Sequence, residues 1–277
     1  MSAHAPTGYD RLAIHTMTVK PWNLEQACAA CAAAGIGGIT VWRQHLEPYG
    51  TARGAQIIRD AGLAVPALCR GGFFPSPEPA ARAQAIDENK RILDEAAAIG
   101  AEMVVLVCGA VPGMPLEQAR AHIRDGIAAC LDHAQACGVK LAIEPLHPMY
   151  AADRSAINTM AQARAICEEL KHPLLGIAVD VYHVWWDDAL AEEIRLAGEQ
   201  GTLFGFHICD WRVETRDLLN DRGLMGEGCI DIRGIRSLME QAGFAGFNEV
   251  EIFSDWHWQK SMDDYLAEIQ QAYRTHA

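Results

Sequence analysis

Val139-Lys140-Leu141-Ala142-Ile143-Glu144 is a short apolar run that starts just after Gly138 and closes on a carboxylate. The run is too short for a globular helix and too uniformly apolar for a half-exposed strand. It reads as a strand covered on both faces. Upstream of it, Leu116, Ala119, Ile123, Ile127, Cys130 and Ala134 recur at helical spacing and form one stripe. Gly138 lies where a left-handed residue would end that helix. Helix, glycine stop, buried strand and terminal acid together make one repeating unit.

The unit recurs in both directions. Strand-like runs are expected at residues 11–15, 38–42, 64–69, 103–108, 140–144, 176–180, 203–207 and 248–252. Helical periodicity fills the gaps, as in Met160, Ala163, Cys167 and Leu170. Gly35, Gly62, Gly100, Gly138, Gly201 and Gly243 precede strands as helix stops, and Asn23 and Ser155 stand where N-caps belong. Eight βα repeats predict an α/β fold, a (β/α)8 barrel, as one domain over residues 1–277. The rival doubly wound sheet lacks a G-x-G-x-x-G after the first run. The longest irregular stretch, 208–230, carries Arg212, Arg216, Arg222 and Gly226-Glu227-Gly228, and reads as a loop over the substrate.

A formal net charge of −13 opposes binding to phosphate backbones or anionic lipid, so neither nucleic acid nor membrane is the expected partner. Residues 1–9 contain no apolar core of a leader peptide, and no run is long enough to span a bilayer, so the expected compartment is the cytoplasm. Cys28-x-x-Cys31 has no second pair to complete a zinc site and reads as helix core. A homo-oligomer is compatible with the sequence, with Trp256 and Trp258 as candidates for a subunit contact or the pocket wall.

Four charged or polar residues close four consecutive strands: Glu144, Asp180, His207 and Glu251. In a barrel those ends share one mouth, and neighbouring strands lie about 4.8 Å apart. Three carboxylates brought together would repel and raise one another's pKa, and a divalent cation removes the conflict. Three oxygens and one imidazole suit one ion of Mn²⁺, Mg²⁺, Co²⁺ or Zn²⁺. Glu249 lies two residues before Glu251 and faces the same way, so strand periodicity does not separate them.

Five segments carry a resemblance. They are Ile143-Glu144-Pro145-Leu146-His147-Pro148, Val179-Asp180-Val181-Tyr182-His183, Phe206-His207-Ile208-Cys209-Asp210, Gly226-Glu227-Gly228-Cys229-Ile230-Asp231 and Gly246-Phe247-Asn248-Glu249-Val250-Glu251. With these the chain resembles, over nearly its whole length, the sugar phosphate isomerase/epimerase family with the xylose-isomerase-like barrel, which includes ketose 3-epimerases and inosose dehydratases. The resemblance implies Glu144, Asp180, His207 and Glu251 as the metal ligands, and it selects Glu251 over Glu249. It implies Glu144 and Glu251 as the proton-transfer pair and His183 as a substrate contact. The epimerases carry an arginine six residues after the ligand histidine. Here that position is Val213, with Arg212 one before it.

Such a site suits enediolate chemistry: one carboxylate removes the proton α to a carbonyl, and a second returns it. Return to the same carbon on the opposite face is epimerisation, and return to the neighbouring carbon is isomerisation. Loss of a β-oxygen makes the enzyme a lyase or dehydratase acting on a keto-sugar or inosose. The leading expectation is a metal-dependent isomerase or epimerase acting on a small-molecule ketose or keto-sugar. An abasic-site endonuclease shares the barrel but would need further zinc ligands and a positive surface. His15, Trp42, Arg43, His45, Arg70 and Cys108 follow the first four strands, and His147, His183, Trp185, Asp210 and Arg212 follow the next three. His147, His183, Arg212, His15, Trp42 and Arg70 are the candidate substrate contacts. Glu144-x-x-His147 could share a second metal with Asp210, although a substrate hydrogen bond is the preferred reading. Glu227, lying between two loop glycines, would repel a phosphate, so the expected sugar is unphosphorylated.

Overall fold

A computed structural model describes residues 8–277, so most of the N-terminal stretch read above for a leader peptide, residues 1–7, lies outside the described residues. Eight parallel strands close a barrel: β1 (Leu12–His15), β2 (Gly38–Trp42), β3 (Ala67–Gly72), β4 (Met103–Val107), β5 (Lys140–Ile143), β6 (Leu175–Asp180), β7 (Leu203–Ile208) and β10 (Asn248–Val250). β1 pairs with both β2 and β10, which closes the ring. Between β7 and β10 the chain adds a two-stranded antiparallel hairpin, β8 (Asp210–Trp211) and β9 (Arg222–Gly223).

Around the barrel lie α1 (Leu24–Ala33), α3 (Gly50–Ala61), α4 (Pro79–Ile99), α5 (Leu116–Cys137), α6 (Met160–Leu170), α8 (Leu190–Glu199), α9 (Ile232–Gln241) and α10 (Met262–His276). Two single-turn helices, α2 (Arg43–Leu46) and α7 (Val181–Val184), follow strands at the mouth. The expected glycine stops all have positive φ, between 67° and 94°. Asn23 closes a capping box on α1, donating its backbone N–H to Gln26 and accepting from the Gln26 N–H at 2.9 Å. Cys28 and Cys31 are buried core residues of α1, and burial pushes both thiols up to about 12.

Strand residues divide between two cores. Outward side chains such as Leu12, Ile39, Leu68, Val104, Leu141, Ile177 and Phe206 pack under the helices. Inward ones are mostly small: Ala67, Cys69, Val105, Ala142 and Ala178, with Met103. With both faces buried, the strands show no polar alternation.

Three expectations are corrected. The third strand starts at Ala67 rather than Ala64, because Pro66 has no N–H for the ladder. Ala64 makes only an isolated bridge to Gly38. Ser155 does not cap a helix: it is buried and accepts from the Ile157 N–H, and Thr159 caps α6. Leu116 opens the α5 stripe but is 38% exposed, since the first turn overhangs the core.

β3 places an arginine at the mouth. Its register with β4 runs Cys69↔Val105 and then Gly71↔Leu106, so Arg70 is bulged out of the ladder. The peptide bond Cys69–Arg70 is cis. Just beyond, Gly72 has φ 108°, and a Cβ there would collide with the Val107 carbonyl, so only glycine fits. The buried side chain of Asn89 pins this turn. Its Oδ1 accepts from the Gly72 N–H at 2.7 Å, and its Nδ2 donates to the Gly72 carbonyl at 2.8 Å.

Candidate metal centre and active site

Glu144, Asp180, His207 and Glu251 meet at the C-terminal mouth. Asp180 and His207 are direct register partners on β6 and β7. Glu144 stands one residue past β5, with its N–H donated to the Leu106 carbonyl. Glu251 stands one past β10, with its N–H donated to the Ile208 carbonyl. One ligand atom from each residue lies within 4.8 Å of the others, and all four residues are buried. His207 Nδ1 is 2.9 Å from Glu144 Oε1 and 3.7 Å from Glu251 Oε2.

Crowding of like charge is visible in the proton affinities. Burial raises Glu144, and the Glu251 and Asp180 charges add to it against the opposing His207 hydrogen bond, leaving it at about 7. Burial disfavours the His207 imidazolium, yet the Glu144 hydrogen bond and the charges of Glu249, Glu144 and Glu251 lift it to about 10. Three oxygen donors and an imidazole, buried within coordination reach of one point, fit a divalent ion.

Glu249 and Glu251 both face the barrel interior but at different depths. Glu249 lies one layer lower, accepting from Thr40 Oγ1 at 2.6 Å, with His15 Nε2 at 3.6 Å. His15 also stands beneath the mouth. Its Nδ1 accepts from the Trp42 indole N–H at 3.0 Å and lies 3.5 Å from Glu251 Oε1. Trp42 reaches the cavity wall itself and meets Phe253 edge-on at 5.2 Å.

The stretch expected to be irregular folds as the β8–β9 hairpin across the mouth. Leu218 at its tip accepts hydrogen bonds through its carbonyl from the Tyr150 hydroxyl (2.6 Å) and the Tyr182 hydroxyl (3.2 Å). β9 sends Arg222 inward. Its Nη1 donates to Asp180 Oδ2 at 2.9 Å and Glu251 Oε2 at 2.8 Å, and its Nη2 lies 3.2 Å from His183 Nε2. Arg212, the arginine singled out from the sequence, turns away to Glu227 at 3.2 Å. Val213 is 78% exposed. Nothing in the spacing separates Arg222 from Arg212 and Arg216; the hairpin pairing does.

A cavity of about 180 Å³ remains over the cluster, lined by Trp42, Arg70, Tyr150, Arg154 and His183 together with Glu144, Arg222 and Glu251. His183 is buried and neutral, since burial pushes it down to about 3. His147 does not line this cavity. Its ring packs 5.1 Å from Trp211 and 5.8 Å from Trp186, and its Nδ1 accepts from the Met149 N–H. Asp210 accepts from the N–H groups of Trp211, Gly226, Gly228 and Ile230, which makes it the clasp of the glycine turn. Arg43 is paired with Glu88 and Glu95. Trp258 donates its indole N–H to the Met17 carbonyl at 3.0 Å, and Trp256 is 54% exposed.

A family profile described as "Xylose isomerase-like TIM barrel" matches residues 28–274. The chain belongs to that family. The crystal structure of protein SMc04130 from Sinorhizobium meliloti 1021 superposes with a TM-score of 0.93 at 47% identity, covering 96% of this chain and 98% of that one. The crystal structure of IOLI protein with a bound zinc atom superposes at 0.83 with 21% identity, covering 95% of this chain and 96% of that one. Among sequence relatives, inosose isomerase of Bacillus licheniformis is 24% identical, over 94% of this chain and 84% of its own. L-ribulose-5-phosphate 3-epimerase UlaE of Shigella boydii serotype 18 is also 24% identical, over 78% of this chain and 72% of its own. No helix among the described residues is long and apolar enough to cross a membrane.

Proposed function

We propose that this protein is a divalent-metal-dependent isomerase or epimerase of a ketose or keto-sugar, with Glu144 and Glu251 as its acid/base pair. The convergence of Glu144, Asp180, His207 and Glu251 within 4.8 Å beneath a small cavity at the barrel mouth carries this reading. A cavity of about 180 Å³ under a latched hairpin suits a small molecule. The relatives named as sugar epimerase and inosose isomerase agree with it.

Glu144, Asp180, His207 and Glu251 would hold the ion, which supplies Lewis-acid polarisation of substrate oxygens. Glu144 and Glu251 enter the mouth from β5 and β10, which lie on different sides of the ring. Two carboxylates so placed can take a proton from one face of a carbon α to a carbonyl and deliver one to the other. Arg222 orients Glu251 through the 2.8 Å hydrogen bond, and Trp42 with Phe253 offers an apolar wall to C–H faces. Tyr150 and Tyr182 hold the hairpin over the site through the Leu218 carbonyl.

Metal content and turnover test the reading. Purified protein should carry close to one divalent ion per chain and convert at least one ketose or keto-sugar from a panel scored for epimer, isomer and eliminated product. Glu144→Gln and Glu251→Gln should each lower kcat by at least about a hundredfold, the scale of general acid–base catalysis. Full turnover in either variant, or in metal-free protein, would falsify the proposal. An eliminated product alone would reassign the enzyme as a lyase.

A further inference from the structure

Arg70 and Arg154 differ from every other arginine of this chain. Among the described residues, each of the others gives its guanidinium to a carboxylate, an amide oxygen or a backbone carbonyl. Among the described residues the guanidinium groups of Arg70 and Arg154 make neither a hydrogen bond nor an ion pair, and both residues line the mouth cavity. In a chain with 36 acidic residues, a missing carboxylate is no accident of composition.

Both guanidinium groups are held by aromatic rings. Arg70 lies 4.9 Å from the Phe73 centroid and 5.7 Å from that of Trp42, and Arg154 lies 5.2 Å from that of Tyr150. Packing of this kind positions the cation and leaves its N–H donors unclaimed. Burial and the neighbouring Arg154 charge both lower the Arg70 pKa, so the two cations are close enough to repel. Glu227, whose charge argued from sequence against an anionic substrate, does not line the cavity and is bound to His257 and Arg212.

We infer that Arg70 and Arg154 form an anion subsite, so that the substrate is a sugar carrying a phosphate or carboxylate group, bound with its reacting oxygens towards Glu144 and Glu251. This rests on the reading of the mouth as the substrate cavity and adds the substrate's charge to it. A neutral hydroxyl would leave two cations facing each other, whereas a phosphate or carboxylate accepts from both.

Binding of unreactive probes tests the subsite apart from catalysis. Manganese-loaded protein is titrated calorimetrically with D-arabinitol, D-arabinitol 5-phosphate and D-arabinonate. One of the two anions should bind at least about tenfold more tightly than arabinitol, and which one does identifies the group. Arg70→Gln and Arg154→Gln should each remove most of that preference, measured as the ratio of anion to arabinitol affinity in the same variant, and Arg154→Lys should keep part of it. If Arg70→Gln does not fold, the half-exposed Arg154 supplies the same test. Equal affinity for all three probes, or an anion preference that survives both glutamine variants, overturns the subsite. In parallel, a ketopentose, its 5-phosphate and the matching keto-acid are assayed. Anion binding without turnover of any ketose would sink the isomerase reading alone, and turnover of the neutral ketose with no anion preference would sink the subsite alone.

Discussion

Arg222 Nη1 lies 2.8 Å from Glu251 Oε2, with both side chains buried. The arginine comes from a hairpin and the glutamate from the last barrel strand, so this ion pair ties the cover to the floor of the site. Burial opposes the charge on Glu251, but Arg222, His15 and His207 hold the carboxyl down at about 2. Removing one member of a buried pair leaves the other uncompensated, at a cost of about 3–5 kcal/mol. Arg222→Met should destabilise metal-free protein by that order. Saturating manganese should narrow the gap to wild type, because an ion held at the proposed site would neutralise Asp180 and Glu251. Urea melts with and without metal measure both numbers, and an equal gap in the two conditions would show that Arg222 acts independently of the ligand set.

Asn89 holds the β3 bulge through two hydrogen bonds to Gly72. Asn89→Ala strands a buried donor and a buried acceptor, so a loss of about 2–4 kcal/mol is expected. Arg70 emerges two residues earlier, and its placement should loosen with the turn. The expected kinetic signature is a raised KM with kcat less affected, read from steady-state kinetics on the best substrate.

The Leu218 carbonyl accepts from both Tyr150 and Tyr182, so the hairpin tip is latched at one atom. A Tyr150→Phe, Tyr182→Phe double variant should lose about 1–2 kcal/mol from local closure while the barrel keeps its stability. Hydrogen exchange should speed up in residues 212–221 and stay unchanged in β4 and β5. Uniform acceleration over the whole chain would place the tyrosines in global stability instead.

Glu227 accepts from the Leu224 N–H at 2.9 Å and lies 3.1 Å from His257 Nε2 and 3.2 Å from Arg212 Nη1. Burial alone would raise its pKa, but these partners bring it below the ordinary 4.5. A depressed carboxyl stabilises the fold above its unfolded value, and the contribution disappears as pH falls through the folded one. Glu227→Gln should cost about 1 kcal/mol at pH 7, a figure reduced for partial exposure, and nothing once Glu227 is protonated in the fold. Denaturation of both proteins between pH 7 and pH 3 checks the convergence.

The barrel was readable from the sequence because each strand is buried on both faces and six of the helices stop on a glycine. Both are local signals, carried by runs such as Val139–Glu144 and by stops such as Gly138. Strand-end acids were readable for the same reason: an acid closing an apolar run is locally anomalous, and a parallel barrel gathers all such ends at one rim. Glu249 and Glu251 mark the limit of this reading. Period-two geometry turns both inward, and only the closed barrel sets one against Thr40 and the other against Asp180 and His207. Arg222 marks the other limit. Its loop holds three arginines in one short stretch, and which of them enters the site depends on Asp210–Trp211 pairing with Arg222–Gly223. Arg70 and Arg154 lie far apart in the chain and come together only through packing around one cavity. The sequence by itself determined the strands, the helices and the acids at their ends, since these follow from burial and periodicity within a few residues. Tertiary structure decided which cations face that cluster and which are left without a partner, because charge pairing depends on distances set by barrel closure and the hairpin.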